Sequence, residues 1–110
     1  MTNKYNARKV TIDGYTFDSQ REGDRYCELK LLVRAGEIAD LLIHPKYKLI
    51  PGITVSGKKK GARHYIADFE YIENGKVVVE DVKGYITKLA DWKMQQFQWQ
   101  YPNADFRIVR

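Results

Sequence analysis

The chain has 110 residues, 44% of them hydrophobic and 30% charged, with one cysteine and a formal net charge of +5. These totals exclude a disordered chain, an internal disulfide and a cysteine-built zinc cluster, and no apolar run reaches the ~20 residues of a membrane span. The length fits a single domain, residues 1–110, with one core, and the basic balance favours polyanionic partners, nucleic acid before anionic membrane.

The N-terminal M-T-N-K-Y-N-A-R-K has no apolar h-region, which argues against a secretory leader. The lone Cys27 fits a reducing cytosol. Residues 1–16 read as a loose basic arm carrying Lys4, Arg8 and Lys9, with a short extended piece at Lys9 to Ile12 and a turn at Asp13-Gly14. Such an arm either tracks a phosphate backbone or frays.

Ser19 to Ala35 has the pattern of a helix. Ser19 and Glu22 fit the S-x-x-E capping box. Tyr26, Leu29, Leu32 and Val33 make an apolar stripe, and Gly36 stands where the helix should stop. Cys27 is expected to be buried or half-buried there. Glu22 has two readings that compete for one carboxylate: the partner of the cap, or an acid aimed at a site elsewhere.

Ile38 to Ile50 is apolar-rich but broken at His44-Pro45. Pro45 lacks the N–H of a central strand, so it marks a bulge, an edge or a strand start. Alternation from Lys46 predicts a strand to Ile50. His44, alone beside a proline, reads first as a loop residue and only second as a ligand. Gly57 to Gly61, with Lys58, Lys59 and Lys60, is expected to be a basic loop, either solvated or in contact with nucleic acid. His64 just beyond it is a lesser catalytic candidate.

Tyr65 to Lys83 predicts a β-hairpin about Asn74-Gly75, the dipeptide best suited to a two-residue type I′ turn. That turn sets the register: Glu73 opposite Lys76, Ile72 opposite Val77, Tyr71 opposite Val78, Glu70 opposite Val79, Phe69 opposite Glu80. The next pair is Asp68 with Asp81. Two carboxylates ~5 Å apart repel by about 3 kcal/mol at an effective dielectric near 20. A divalent cation would compensate. Lys83, two residues beyond Asp81, shares its face. The run Val77-Val78-Val79 suggests a strand covered on both faces, where an unpaired acid is costly. The residues alone therefore leave two readings: a metal site, or a solvated polar face in another register.

Thr87 to Tyr101 has a helical pattern ended by Pro102. Trp92 and Trp99 are expected to pack. Lys93 and Gln96, three apart, share a face. Asp105 to Val109 alternates as a last strand. The order is helix, three strands, helix, strand. A strand reached through a helix normally runs parallel to the one left behind. The expected fold is α/β, a three-layer sandwich with a central mixed β-sheet flanked by helices.

The element order and the acids together resemble the PD-(D/E)XK nuclease superfamily, and more narrowly its small phage and prophage proteins similar to Holliday-junction resolvases. The resemblance runs from F-D-S-Q-R-E at Phe17 to F-R-I-V at Phe106. Asp68 fits the first acid, and Asp81-Val82-Lys83 fits (D/E)-x-K. Glu22 fits the first-helix glutamate of many members, and Lys93 or Gln96 the polar residue some place on the following helix. Ala67 stands where the motif has proline. The resemblance implies a restriction-endonuclease-like core and a cytoplasmic, phage- or prophage-encoded deoxyribonuclease in a bacterial host. It implies Mg²⁺, with Mn²⁺ as the alternative, held by Asp68, Asp81, Glu22 and the Val82 carbonyl. Lys83 would be the catalytic lysine. Branched DNA and a homodimer are implied as well, with Lys4, Arg8, Lys9, Lys58, Lys59, Lys60, Lys93 and Gln96 on the nucleic acid and no membrane involved. The competing readings are a nuclease-fold protein that has lost its chemistry and binds DNA, and a protein-binding phage accessory factor. The second would leave the carboxylates unexplained.

Overall fold

The computed structural model describes residues 8–110. Strands β1 (Val10–Ile12) and β2 (Tyr15–Phe17) form a hairpin about Asp13-Gly14, ahead of helix α1 (Gln20–Arg34). The expected loose arm is therefore ordered from Val10 onward. The cause is packing: Val10 and Ile12 lie against the α1 core, and a Cβ added at Gly23 would stand 2.8 Å from the Val10 side chain. Gly23 is thus the point of close approach between helix and hairpin. The α1 N-cap is Ser19, whose hydroxyl accepts from the Glu22 N–H at 3.2 Å. At the other end the Gly36 N–H donates to Val33 and the Glu37 N–H to Leu32, the two bonds of a Schellman motif. Tyr26 and Leu29 are buried as expected, whereas Val33 and Cys27 are exposed, because the buried face runs through Gly23, Tyr26 and Leu29.

The rest of the chain comprises β3 (Ala39–Ile43), β4 (Lys46–Ile50), β5 (Ile53–Val55), β6 (Lys58–Lys60), β7 (Arg63–Ile66), β8 (Phe69–Glu73), β9 (Lys76–Val82), α2 (Lys88–Gln100) and β10 (Asp105–Val109). The central sheet has the order β10-β9-β8-β3, with β10 parallel to β9 and the other pairs antiparallel. The fold is thus mixed α/β with a mixed sheet, and the helical crossover returns the chain parallel, as read from the sequence. The hairpin register holds at all five pairs from Glu73–Lys76 to Phe69–Glu80. Asn74 and Gly75 both have positive φ, 52° and 76°, which the tight turn requires.

Consecutive residues of β9 enter different cores. Val78 and Val82 join Phe17, Tyr26, Leu29, Phe69 and Tyr71 under α1; Val79 joins Leu49, Tyr65, Met94 and Phe97 under α2. That alternation places one helix on each face of β9, the arrangement of a sandwich.

Three local expectations change. The strand expected from Tyr65 to Glu73 breaks at Ala67-Asp68, so that β7 pairs with β4 while β8 pairs with β3. Pro45 sits opposite this break, where its carbonyl accepts from the Ala67 N–H at 3.1 Å and no donor is demanded of it. The basic segment at Lys58–Lys60 is a strand of a two-stranded ribbon with β5, not a loop. Trp92 and Trp99 do not pack: they are 55% and 81% exposed. The face of α2 that packs is Ala90, Met94, Phe97 and Tyr101, equally helical in spacing and better matched to the ring cluster of Tyr47, Tyr65 and Phe106.

Candidate metal and nuclease site

The site forms where the hairpin, the first turn of α1 and the β3–β4 corner meet. β9 carries Asp81, 1% exposed, into the sheet's α2 face. The Asp81 carboxylate accepts a hydrogen bond from the Tyr65 hydroxyl and lies 3.5 Å from the Lys83 ammonium. Asp68 stands just beyond the last hairpin pair. Its N–H donates to the Glu80 carbonyl at 3.1 Å, and its own carboxylate accepts from the Val82 N–H at 2.7 Å. The hairpin ladder ends at Phe69–Glu80 and does not extend to the expected pair Asp68–Asp81, yet Asp68, at the break before β8, lies near enough to Asp81 for that acid to act on its carboxyl.

Burial and a like charge nearby both disfavour the ionised form of a carboxyl. The Asp68 carboxyl is pushed up to about 8, first by burial, then by the hydrogen bond and charge of Asp81; the Val82 N–H opposes this. Burial and the charge of Asp81 and Asp68 likewise raise the Tyr65 hydroxyl far above its ordinary value, so it acts here as a donor.

Glu22 reaches the same place from the first turn of α1. Its carboxylate accepts from the Asp18 N–H at 3.2 Å. Burial raises its pKa most, and it feels the charges of both Lys83 and Asp81. The expected capping box is half formed: Ser19 caps the Glu22 N–H, but the Glu22 carboxylate turns to the Asp18 N–H and not to that of Ser19, and stands within the field of Lys83 and Asp81. Ligand-capable atoms of Glu22, His44 and Asp68 all lie within 4.8 Å of one another.

His44, read first as a loop residue, lies in the corner between β3 and β4, and its position there is one the sequence did not supply. Its N–H donates to the Asp68 carbonyl at 2.9 Å across the β3–β8 junction. The missing signal was β3 itself, since only a strand before Pro45 makes His44 a cross-strand neighbour of Asp68. The Arg21 guanidinium comes within 3.9 Å of where a Gly84 Cβ would stand, beside the end of β9.

The other candidates scatter. Lys83, Lys93 and His64 line a cavity of about 270 Å³ with Tyr65, Thr87 and Leu89. Gln96 faces a separate groove between Trp92 and Trp99. Val82 enters the site through its N–H, and its side chain is buried under α1. Lys58, Lys59 and Lys60 are exposed on β6, and Arg8 and Lys9 are exposed ahead of β1. Lys4 lies outside the described residues.

Fold and site together define a mixed α/β protein with an acid, imidazole and lysine cluster at the end of its central hairpin. Residues 2–110 match the family described as "Protein of unknown function (DUF1064)", and the chain belongs to that family. No curated protein matches it. No helix among the described residues is long and apolar enough to cross a membrane.

Proposed function

We propose that this protein is a metal-dependent deoxyribonuclease that hydrolyses phosphodiesters, acting on branched DNA such as junctions or flaps. The observation that supports it most is the convergence of Glu22, His44 and Asp68, whose ligand-capable atoms lie within 4.8 Å of one another, beside the buried Asp81 and its Lys83 partner at 3.5 Å. Clustered carboxyl groups with a perturbed pKa beside a charged partner are what metal and catalytic sites use. Bearing on the fit of a divalent ion, the donor set offers carboxylates from Glu22, Asp68 and Asp81 and an imidazole from His44, close enough for several to share one cation. Mg²⁺ and Mn²⁺ both suit the carboxylates.

When bound, such an ion supplies a Lewis acid for the phosphoryl oxygen and an acidified water. The chain's own residues do the rest. Asp68 and Asp81 hold the charge that attracts the cation. Tyr65 and the Val82 N–H fix those carboxylates by hydrogen bonds. Lys83, about one-third exposed, can meet the attacking water or the scissile phosphate while its charge offsets that of Asp81. Arg21 and Lys93 flank the cluster as phosphate contacts.

Branched DNA, a homodimer and a cytoplasmic phage- or prophage-encoded setting complete the proposal by resemblance to small phage resolvases. A chain of this length has little room for a separate sequence-reading domain, and paired cuts need two sites. The test is a cleavage assay on labelled four-way junction, flap, duplex and single strand, with and without Mg²⁺ or Mn²⁺, beside light scattering for mass. Metal-dependent cutting that favours junction or flap is expected. Tight DNA binding with no cutting by any divalent ion would favour instead the reading of a DNA-binding protein without chemistry.

A further inference from the structure

The corner at His44-Pro45 brings a nitrogen donor into a cluster that the motif residues alone would make all-oxygen. Glu22 comes from the first turn of α1, His44 from the turn between β3 and β4, and Asp68 from the break between β7 and β8. Three separate elements thus converge on one point, with ligand-capable atoms all within 4.8 Å. Trans ligands on an ion with ~2.1 Å bonds stand ~4.2 Å apart, and cis ligands ~3 Å. Small side-chain rotations close the difference.

The corner is also held in place. His44 has φ of 53°, in the left-handed region that few residues other than glycine adopt. Its N–H is tied to the Asp68 carbonyl at 2.9 Å, and the Phe17 ring lies 5.6 Å from the imidazole. The imidazole itself accepts or donates no hydrogen bond among the described residues. The corner thus presents the imidazole beside Glu22 and Asp68 with no hydrogen bond competing for its ring nitrogens among the described residues.

We propose that Glu22, His44 and Asp68 form a mixed nitrogen and oxygen site that selects a first-row transition-metal dication over Mg²⁺. The inference rests on the metal-site reading above and refines which ion the site takes. Mg²⁺ prefers oxygen donors and retains its waters, whereas imidazole raises affinity for the transition series. Mn²⁺ stands lowest in that series, so a preference for Mn²⁺ over Mg²⁺ is a conservative test.

The experiment titrates the full chain with Mn²⁺ alone and then in competition with Mg²⁺. Pulsed electron paramagnetic resonance of the bound Mn²⁺ reads directly for a coupled imidazole nitrogen. Wild type should bind Mn²⁺ about tenfold or more tighter than Mg²⁺ and show the nitrogen coupling. His44→Asn keeps a residue tolerant of the left-handed region. It should weaken Mn²⁺ about tenfold, change Mg²⁺ by less than about threefold, and lose the coupling. Should that variant fail to fold, the wild-type nitrogen signal decides by itself. Mn²⁺ bound without nitrogen coupling, or an unchanged Mn²⁺ to Mg²⁺ ratio in His44→Asn, overturns the inference while leaving a carboxylate nuclease intact. Nitrogen coupling without cleavage of any DNA keeps the site and overturns the nuclease. Binding of no divalent ion overturns both.

Discussion

Glu80 and Asp81 are neighbours in β9, are 0% and 1% exposed, and face opposite sides of the sheet. Under α1, Glu80 accepts from Arg25 Nε at 2.8 Å and Nη2 at 2.7 Å, and from the Tyr71 hydroxyl. Toward the opposite side, Asp81 has the Tyr65 hydroxyl, a lysine at 3.5 Å and a second carboxyl group. The first acid is neutralised by a bidentate guanidinium, the strongest pairing a carboxylate finds. The second is set against another acid with only a half-buried lysine to offset the pair. The difference lies in the partners, since burial alone marks both acids: one is fully paired within the fold, and on the proposed function the other is the acid left to meet a cation.

The largest way to break that comparison is Asp81→Asn. Metal-dependent cleavage should fall by about a thousandfold or more, as when a group that stabilises transition-state charge is removed. DNA affinity should hold or rise, because a negative charge near phosphate is gone. Cleavage at the wild-type rate would remove Asp81 from the site. Glu80→Gln is the mirror experiment. It leaves the half-buried Arg25 guanidinium with only the exposed Glu28 carboxylate, 2.8 Å away, as its anion, and should cost about 1–2 kcal/mol in a urea melt. Cleavage per folded molecule should hardly change. Loss of activity without loss of stability would reverse the roles assigned to the two acids.

The roles were half legible in the residues. Asn74-Gly75 and the alternation around it gave the register of the five pairs from Glu73–Lys76 to Phe69–Glu80; the strand break at Ala67-Asp68, which ends the ladder before Asp68 can pair with Asp81, was not legible. Alternation also separated Glu80 from Asp81. The partner of Glu80 was not legible: Arg25 is 55 residues away, and no local pattern links them. Nor was His44, since the strand before Pro45 pairs with one 26 or more residues later and carries a register shift between Ala39 and Leu42. The exposed tryptophans show a further limit. Side-chain size favoured Leu89, Trp92, Phe97 and Trp99 as the apolar bulk of α2, whereas tertiary fit buried Phe97 with Met94 and left the other three exposed.

Glu22 sharpens the comparison from the helix side, with an intermediate effect. Glu22→Gln can still accept from the Asp18 N–H, so the melting midpoint should move by less than the ~1 kcal/mol of a lost cap. Cleavage should fall about 10- to 100-fold, the range for a supporting group at a metal site. Normal cleavage with normal melting would assign Glu22 to the cap alone.

The smallest effects belong to the β5–β6 ribbon, where charge would act at a distance from the acids. The three lysines do not form one surface. Cross-strand pairing puts Lys58 with Val55 and Lys60 with Ile53 on one side, and Lys59 with Thr54 on the other. If the Lys58 and Lys60 side lies along DNA, replacing both by alanine should make the log–log salt slope of binding shallower by about 1.8 units, at roughly 0.9 per phosphate. Lys59→Ala should leave the slope alone. Cleavage at saturating DNA should stay at the wild-type rate in both variants, because phosphate contacts position the substrate and take no part in the chemistry. Equal changes per lysine on either side would mean that the ribbon senses only the general field of a basic protein. An unchanged slope in the double variant would make it a solvated projection, with Arg21 and Lys93, close to the acids, left as the residues that hold the phosphates.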